Sequence, residues 1–152
     1  MAVQRTFVII KPDAVARNLM GEIIGRYERK GLTVVGMRLE KAAKATAEAH
    51  YAVHSARPFF ADLITFITSG PLVVLALEGD EAVSVVRNLN GATDGRESAP
   101  GTIRGDFGMS VGANLVHGSD SEDNAKAELA LWFPNDDGIT SRKRCDADWL
   151  DA

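Results

Sequence analysis

Four short apolar runs, at 6–10, 32–39, 72–77 and 111–116, alternate with stretches of helical periodicity. That order predicts an α/β (α+β) domain, a split βαβ sheet of four antiparallel strands with helices on its faces, ferredoxin-like in type. Length agrees, since 152 residues with 45% hydrophobic side chains fit one domain, 1–152, with its own core.

Thr6 to Ile10 is β-branched and aromatic, the mark of a buried strand, and Pro12-Asp13 after it opens a turn or short helix. Gly21 to Lys30 is amphipathic, with Ile23, Ile24 and Tyr27 on one face and Gly31 placed to end it. Leu32 to Leu39 is the second strand, interrupted at Gly36, and the Ala-, Lys- and Glu-rich stretch Ala42 to His54 is helical. A further helix begins at Arg57-Pro58, carrying Phe59, Leu63, Phe66 and Ile67 at helical spacing. Ser69-Gly70-Pro71 turns the chain into strand Leu72 to Leu77, and Glu81 to Leu89 is helical with Val83 and Val86 inward. Asn90 to Thr102, rich in Gly and small polar residues, is a long loop, a length that usually signals function. Val111 to Val116 is the last strand and Ser121 to Trp132 the last helix, with Ala125, Leu129 and Trp132 on one stripe. A polar tail follows Pro134.

A net charge of −4 argues against a general nucleic-acid or anionic-membrane binder. Cys145 is the only cysteine, so no disulfide forms within the chain, and the expected setting is cytoplasmic. No run approaches the length of a membrane span, and no signal peptide is visible. A P-loop and a G-x-G-x-x-G after the first strand are both missing, so any phosphate must be held mainly by side chains.

His117 lies where strand gives way to helix, in Asn114-Leu115-Val116-His117-Gly118-Ser119-Asp120. A neutral imidazole there is a candidate phosphoryl acceptor, set against a structural histidine at a helix start. Ser119 with Glu122 fits a capping box, which would open backbone N–H groups beside it. A Ser-His-Asp hydrolase is a weaker reading, because neighbours at a helix start point apart and no G-x-S-x-G elbow is present. Lys11, held by Pro12 at the first strand's end, either projects into a cleft or is a surface lysine. Arg104, in a Gly-bracketed turn, either pairs with a carboxylate or binds phosphate. His50 and His54 at i, i+4 lack a third ligand, which favours surface or half-buried histidines over a metal pair. By periodicity Phe59-Phe60 reads as core, and Arg142-Lys143-Arg144 as solvated charge.

The segment 114–120 resembles the active-site signature of nucleoside diphosphate kinases. So do Arg5-Thr6-Phe7 through Lys11-Pro12-Asp13, His50-Tyr51, Arg57-Pro58-Phe59-Phe60, Ser69-Gly70-Pro71, Gly91-Ala92-Thr93 and Pro100 to Asp106, in that family's order, from about residue 4 to 133. The resemblance implies ping-pong transfer of the γ-phosphate of a nucleoside triphosphate, mainly ATP, to a nucleoside diphosphate through phosphohistidine on His117. It implies catalytic roles for His117, Glu128, Lys11, Tyr51 and Ser119. Nucleotide contacts would come from Lys11, Phe59, Leu63, Arg87, Thr93, Arg104, Val111 and Asn114. Phe59 then becomes the base-stacking residue, against the reading from periodicity. Mg²⁺ is implied as cofactor, carried by the phosphates and not by a protein cage. The implied partners are nucleotides and further copies of the chain, a hexamer before a tetramer, with tail 134–152 at a subunit interface and no specific nucleic acid. Ala14 and Asp94-Gly95 depart from that family's usual Gly and Asn-Pro. The rival readings are an idle nucleotide-binding protein and a DNA-binding regulator. The full set of His117, Glu128, Lys11, Arg87 and Arg104 disfavours the first, and the acidic charge disfavours the second.

Overall fold

The computed structural model describes residues 3–150. Strand β1 (Val3–Ile10) leads through helix α1 (Pro12–Ala16) and helix α2 (Met20–Lys30) to β2 (Thr33–Lys41). Helices α3 (Lys44–His50) and α4 (Phe60–Ile67) precede β3 (Pro71–Asp80), and α5 (Ala82–Asn90) and α6 (Ile103–Phe107) precede β4 (Val116–Gly118). Helix α7 (Glu122–Trp132) and a short α8 (Ala147–Leu150) follow. The sheet order is β2-β3-β1-β4 with every neighbour antiparallel. Strands β1 and β2 therefore run parallel with β3 between them, which is the split βαβ expected.

Alternation along the central strands builds a core on each face of the sheet. Val8 and Ile10 of β1, with Leu75 and Leu77 of β3, pack against Ile23 and Tyr27 of α2 and Val86 of α5. Phe7 and Ile9, with Val74 and Ala76, pack against Ile64 and Ile67 of α4 and Trp132 of α7. Both faces are covered, so the runs read as continuously apolar and not as alternating. Gly31 ends α2 with φ of 113°, left-handed as a glycine C-cap requires. A bulge falls between Val34 and Gly36, at the interruption expected in β2.

Several boundaries differ from expectation. The last strand is Val116–Gly118, not Val111 to Val116. Leu115 sits at φ 75°, its N–H donated to Asp13 Oδ2 and its carbonyl accepting from Lys11 N–H, and these bonds turn the chain before a strand can form. The turn expected around Arg104 is the helix α6, whose cap Thr102 accepts from Gly105 N–H. Helix α3 stops at His50, and residues 52–54 form a 3₁₀ turn. The cap of α7 is Ser121, accepting from Asn124 N–H, and not Ser119, which is buried. The tail lies along half of the β2 edge: Thr140 N–H donates to the Val35 carbonyl, Arg142 to Val34 and Arg144 to Leu32.

Candidate active site

The reactive groups converge where β1 and β4 end beside α7. In β4 the His117 residue is paired with Ile9, and Lys11 follows β1 directly. His117 Nε2 lies 3.0 and 3.1 Å from the two oxygens of Glu128, one turn from the end of α7. A carboxylate accepts only, so Nε2 carries the proton, and in the neutral ring Nδ1 keeps its lone pair. Ser119 Oγ, fully buried, donates to the same Glu128 carboxylate and approaches the Phe7 carbonyl at 3.4 Å. Burial alone would push the Glu128 carboxyl up, but hydrogen bonds from His117 and Ser119 hold it below its ordinary value. It is therefore an ionised partner for the ring.

Lys11 Nζ donates to Asn114 Oδ1 at 2.8 Å, and Asn114 Nδ2 to the Thr93 carbonyl at 3.4 Å. Burial, and then the positive charge of Arg104, lower the Lys11 ammonium from 10.5 to about 8, against the pull of Asp13. Arg104 is itself buried and donates to the carbonyls of Asn114, Gly91 and Val116. These bonds tie the 91–107 loop to β4 and leave two of its five N–H groups uncommitted. Of the two Arg104 readings from sequence, carboxylate pairing does not describe this arrangement, because carbonyls hold the guanidinium and no carboxylate does.

A cleft of about 430 Å³ opens on His117, lined by His50, Tyr51, His54, Arg87 and Asp120 among others. Arg87 reaches the Gly118 carbonyl at 3.4 Å. The Tyr51 hydroxyl is pushed up to about 12, by burial first and then by Glu128, so it remains a phenol. Phe59 is 46% exposed, which removes it from the core, and its ring lies 5.4 Å from that of His54 on the cleft wall. Leu63 is half-buried on α4, while Thr93 and Val111 are exposed on the loops around Asn114. No hydrogen bond among the described residues ties Leu63 or Val111 to the histidine.

The family model for nucleoside diphosphate kinase matches residues 4–137. The chain belongs to that family. The nucleoside diphosphate kinase of Archaeoglobus fulgidus is 53% identical over 147 residues, 97% of either chain. That of a Nocardioides species is 58% identical over 130 residues, 86% of this chain and 96% of the other. The solved structure of the halophilic nucleoside diphosphate kinase from Halobacterium salinarum in complex with CDP is similar with a TM-score of 0.93. It is 46% identical and covers 98% of this chain and 99% of that one.

One side chain of this nucleoside diphosphate kinase fold was not anticipated at the site. The His50 side chain is only 2% exposed, not on the surface, and its ring stands against His117 with centroids 4.7 Å apart. The sequence signal was its place directly before Tyr51. Its spacing to His54 pointed elsewhere.

Proposed function

We propose that this chain transfers the γ-phosphate of a nucleoside triphosphate, ATP foremost, to a nucleoside diphosphate through a phosphohistidine on His117. The observation that carries the reading is the Glu128 carboxylate on His117 Nε2, which makes Nδ1 the nucleophilic nitrogen of the neutral ring. In the first half-reaction the Nδ1 lone pair forms a bond to the γ-phosphorus as the bond to the β-phosphate oxygen breaks, and the diphosphate leaves with that electron pair. The second half-reaction reverses these events with another diphosphate, so no net proton moves. As the N–P bond forms the ring gains positive character, which the Glu128 carboxylate offsets. Lys11, Arg87 and the free N–H groups of Arg104 supply the cations that a charge-dispersed phosphoryl transition state needs. Tyr51, Thr93 and Asn114 complete the phosphate and ribose contacts, and Ser119 acts by holding Glu128.

Exposed Phe59 offers a ring face to any base, with Leu63 and Val111 as apolar flanks, which favours broad nucleoside use. Among the described residues, the one cluster of three potential metal donors is His50, His117 and Glu128. Two imidazoles and a carboxylate already bonded to His117 and Ser119 make a poor cage for Mg²⁺, which prefers oxygen and keeps its waters. Mg²⁺ would instead come carried on the nucleotide, and would supply charge neutralisation there while these side chains hold no ion. A cytoplasmic homo-oligomer, a hexamer before a tetramer, completes the reading, with 134–152 at an interface. Self-association is supported by β2, where Met37 and Leu39 are 58% and 60% exposed on an edge strand.

Incubation with γ-labelled ATP and Mg²⁺ tests the reaction. An acid-labile, base-stable phosphoenzyme is expected, absent from His117→Ala. Label retained in that variant, or none in the native protein, would overturn the assignment.

A further inference from the structure

His50 ends α3 between two rings, with His117 at 4.7 Å and 85° and Tyr51 at 4.8 Å and 86°. Its orientation is set from α7, where the buried Trp132 indole N–H donates to His50 Nδ1 at 3.1 Å. An indole can only donate, so Nδ1 must be bare and the proton must sit on Nε2. The same Nδ1 lies 3.8 Å from Glu128 Oε2, the carboxylate that holds His117. A proton on Nδ1 would set one N–H against another and make His50 a second claimant on that carboxylate.

We propose that His50 is a positioning residue for the phosphoryl transfer: Trp132 locks its imidazole as the neutral Nε2–H tautomer, and that locked ring holds His117 in the orientation in which Glu128 takes Nε2 and Nδ1 stays free. The inference rests on the function proposed for His117. Its chemical sense lies in the transition state, where the His117 ring gains positive character. A cationic His50 against that ring would oppose it and divide the charge of Glu128. Burial, then the neighbouring His117, lower the His50 imidazole to about 4, against Glu128 and together with Lys11. The charged or titratable groups facing it are thus His117 from β4, Glu128 from α7, Tyr51 from its own helix end and Lys11 from the end of β1; Trp132 and Phe7 fill the rest.

The test uses full-length protein labelled with ¹⁵N in histidine, of which there are only three, His50, His54 and His117. In the native protein His50 is expected bare at Nδ1 and neutral from about pH 5 to about pH 8. Trp132→Phe keeps a ring but removes the donor. With Nδ1 no longer tied to Trp132 and Glu128 Oε2 3.8 Å away, the His50 proton should move to Nδ1 while burial keeps the ring neutral, and kcat should fall about tenfold with KM for the triphosphate nearly unchanged. His50→Asn keeps an acceptor for Trp132 but has no ring and no titration. Here kcat should fall about tenfold at every pH, again without a matching rise in KM. An unaltered His50 spectrum in Trp132→Phe, or kcat profiles of both variants superimposable on the native one, overturns the proposal. Should Trp132→Phe fail to fold, the native tautomer and the kcat loss in His50→Asn decide. A native protein that forms no phosphohistidine defeats the assigned reaction instead, while the His50 tautomer is read independently of turnover.

Discussion

Lys11→Met removes an ammonium that the proposed phosphate site uses and that folding resists. Lys11 lies between burial and the charge of Arg104, and its pKa falls from 10.5 to about 8. Unfolded chains hold this proton up to about pH 10.5 and the native one only up to about pH 8, so the unfolded state binds more protons between them. Native stability therefore rises with pH across that window, and the penalty is fully present below it. The fall from 10.5 to about 8 corresponds to about 3 kcal/mol, an upper bound because the residue is only half-buried. The lost hydrogen bond to Asn114 subtracts about 1 kcal/mol, and leaving its Oδ1 unpaired removes somewhat more. Near pH 7 the variant should thus be more stable by about 1 kcal/mol, or about 2–4 °C in Tm for a chain of this size. The gain should fade as pH approaches the ordinary lysine value, where both states are neutral. Denaturant unfolding of nucleotide-free protein across that range measures it, and the phosphoenzyme assay should show the accompanying loss of function. A variant that is less stable near pH 7, or whose stability difference from native is independent of pH, would refute the argument. A destabilising cation kept at the site is the expected signature of a group placed for phosphate and not for the fold.

Two further perturbations separate site from scaffold. Phe59→Ala should weaken nucleotide binding by about 1–3 kcal/mol while costing under about 1 kcal/mol of stability, since the ring is exposed; a large Tm loss at unchanged affinity in titration calorimetry would return Phe59 to a packing role. Gly95→Ala would place a Cβ 2.3 Å from the Gly108 carbonyl oxygen and force the 91–108 loop apart. A loss of about 1–3 kcal/mol is expected, with a raised KM because Thr93 and Arg104 are anchored there, and native-like melting and KM would contradict it.

Where local chemistry decides conformation, the chain was readable. The apolar runs of β1 and β3, the Gly31 stop of α2 and the Ala125, Leu129 and Trp132 stripe of α7 all lie where expected. Reading failed where a distant group overrode local preference. Leu115 and Val116 suggested a strand from Val111, but the Asp13 carboxylate, about a hundred positions away in sequence, holds the Leu115 N–H and turns the backbone. Ser119 fits a cap by spacing, yet folding of α7 brings Glu128 over it and its hydroxyl serves that carboxylate instead. The short α6 was read as a turn because five residues carry too little periodicity to identify.

The sequence by itself determined the family and offered His117, Lys11 and Glu128 as candidate groups, because short motifs keep their residue types and order whatever the surrounding chain does. It also determined the fold class, since strand and helix periods are local properties. Only the tertiary structure decided tautomer and charge: that Glu128 takes His117 Nε2, that Trp132 fixes His50, and that Arg104 is held by carbonyls. Those outcomes depend on burial and on hydrogen bonds between elements far apart in the chain, quantities that exist only once the core has closed around them.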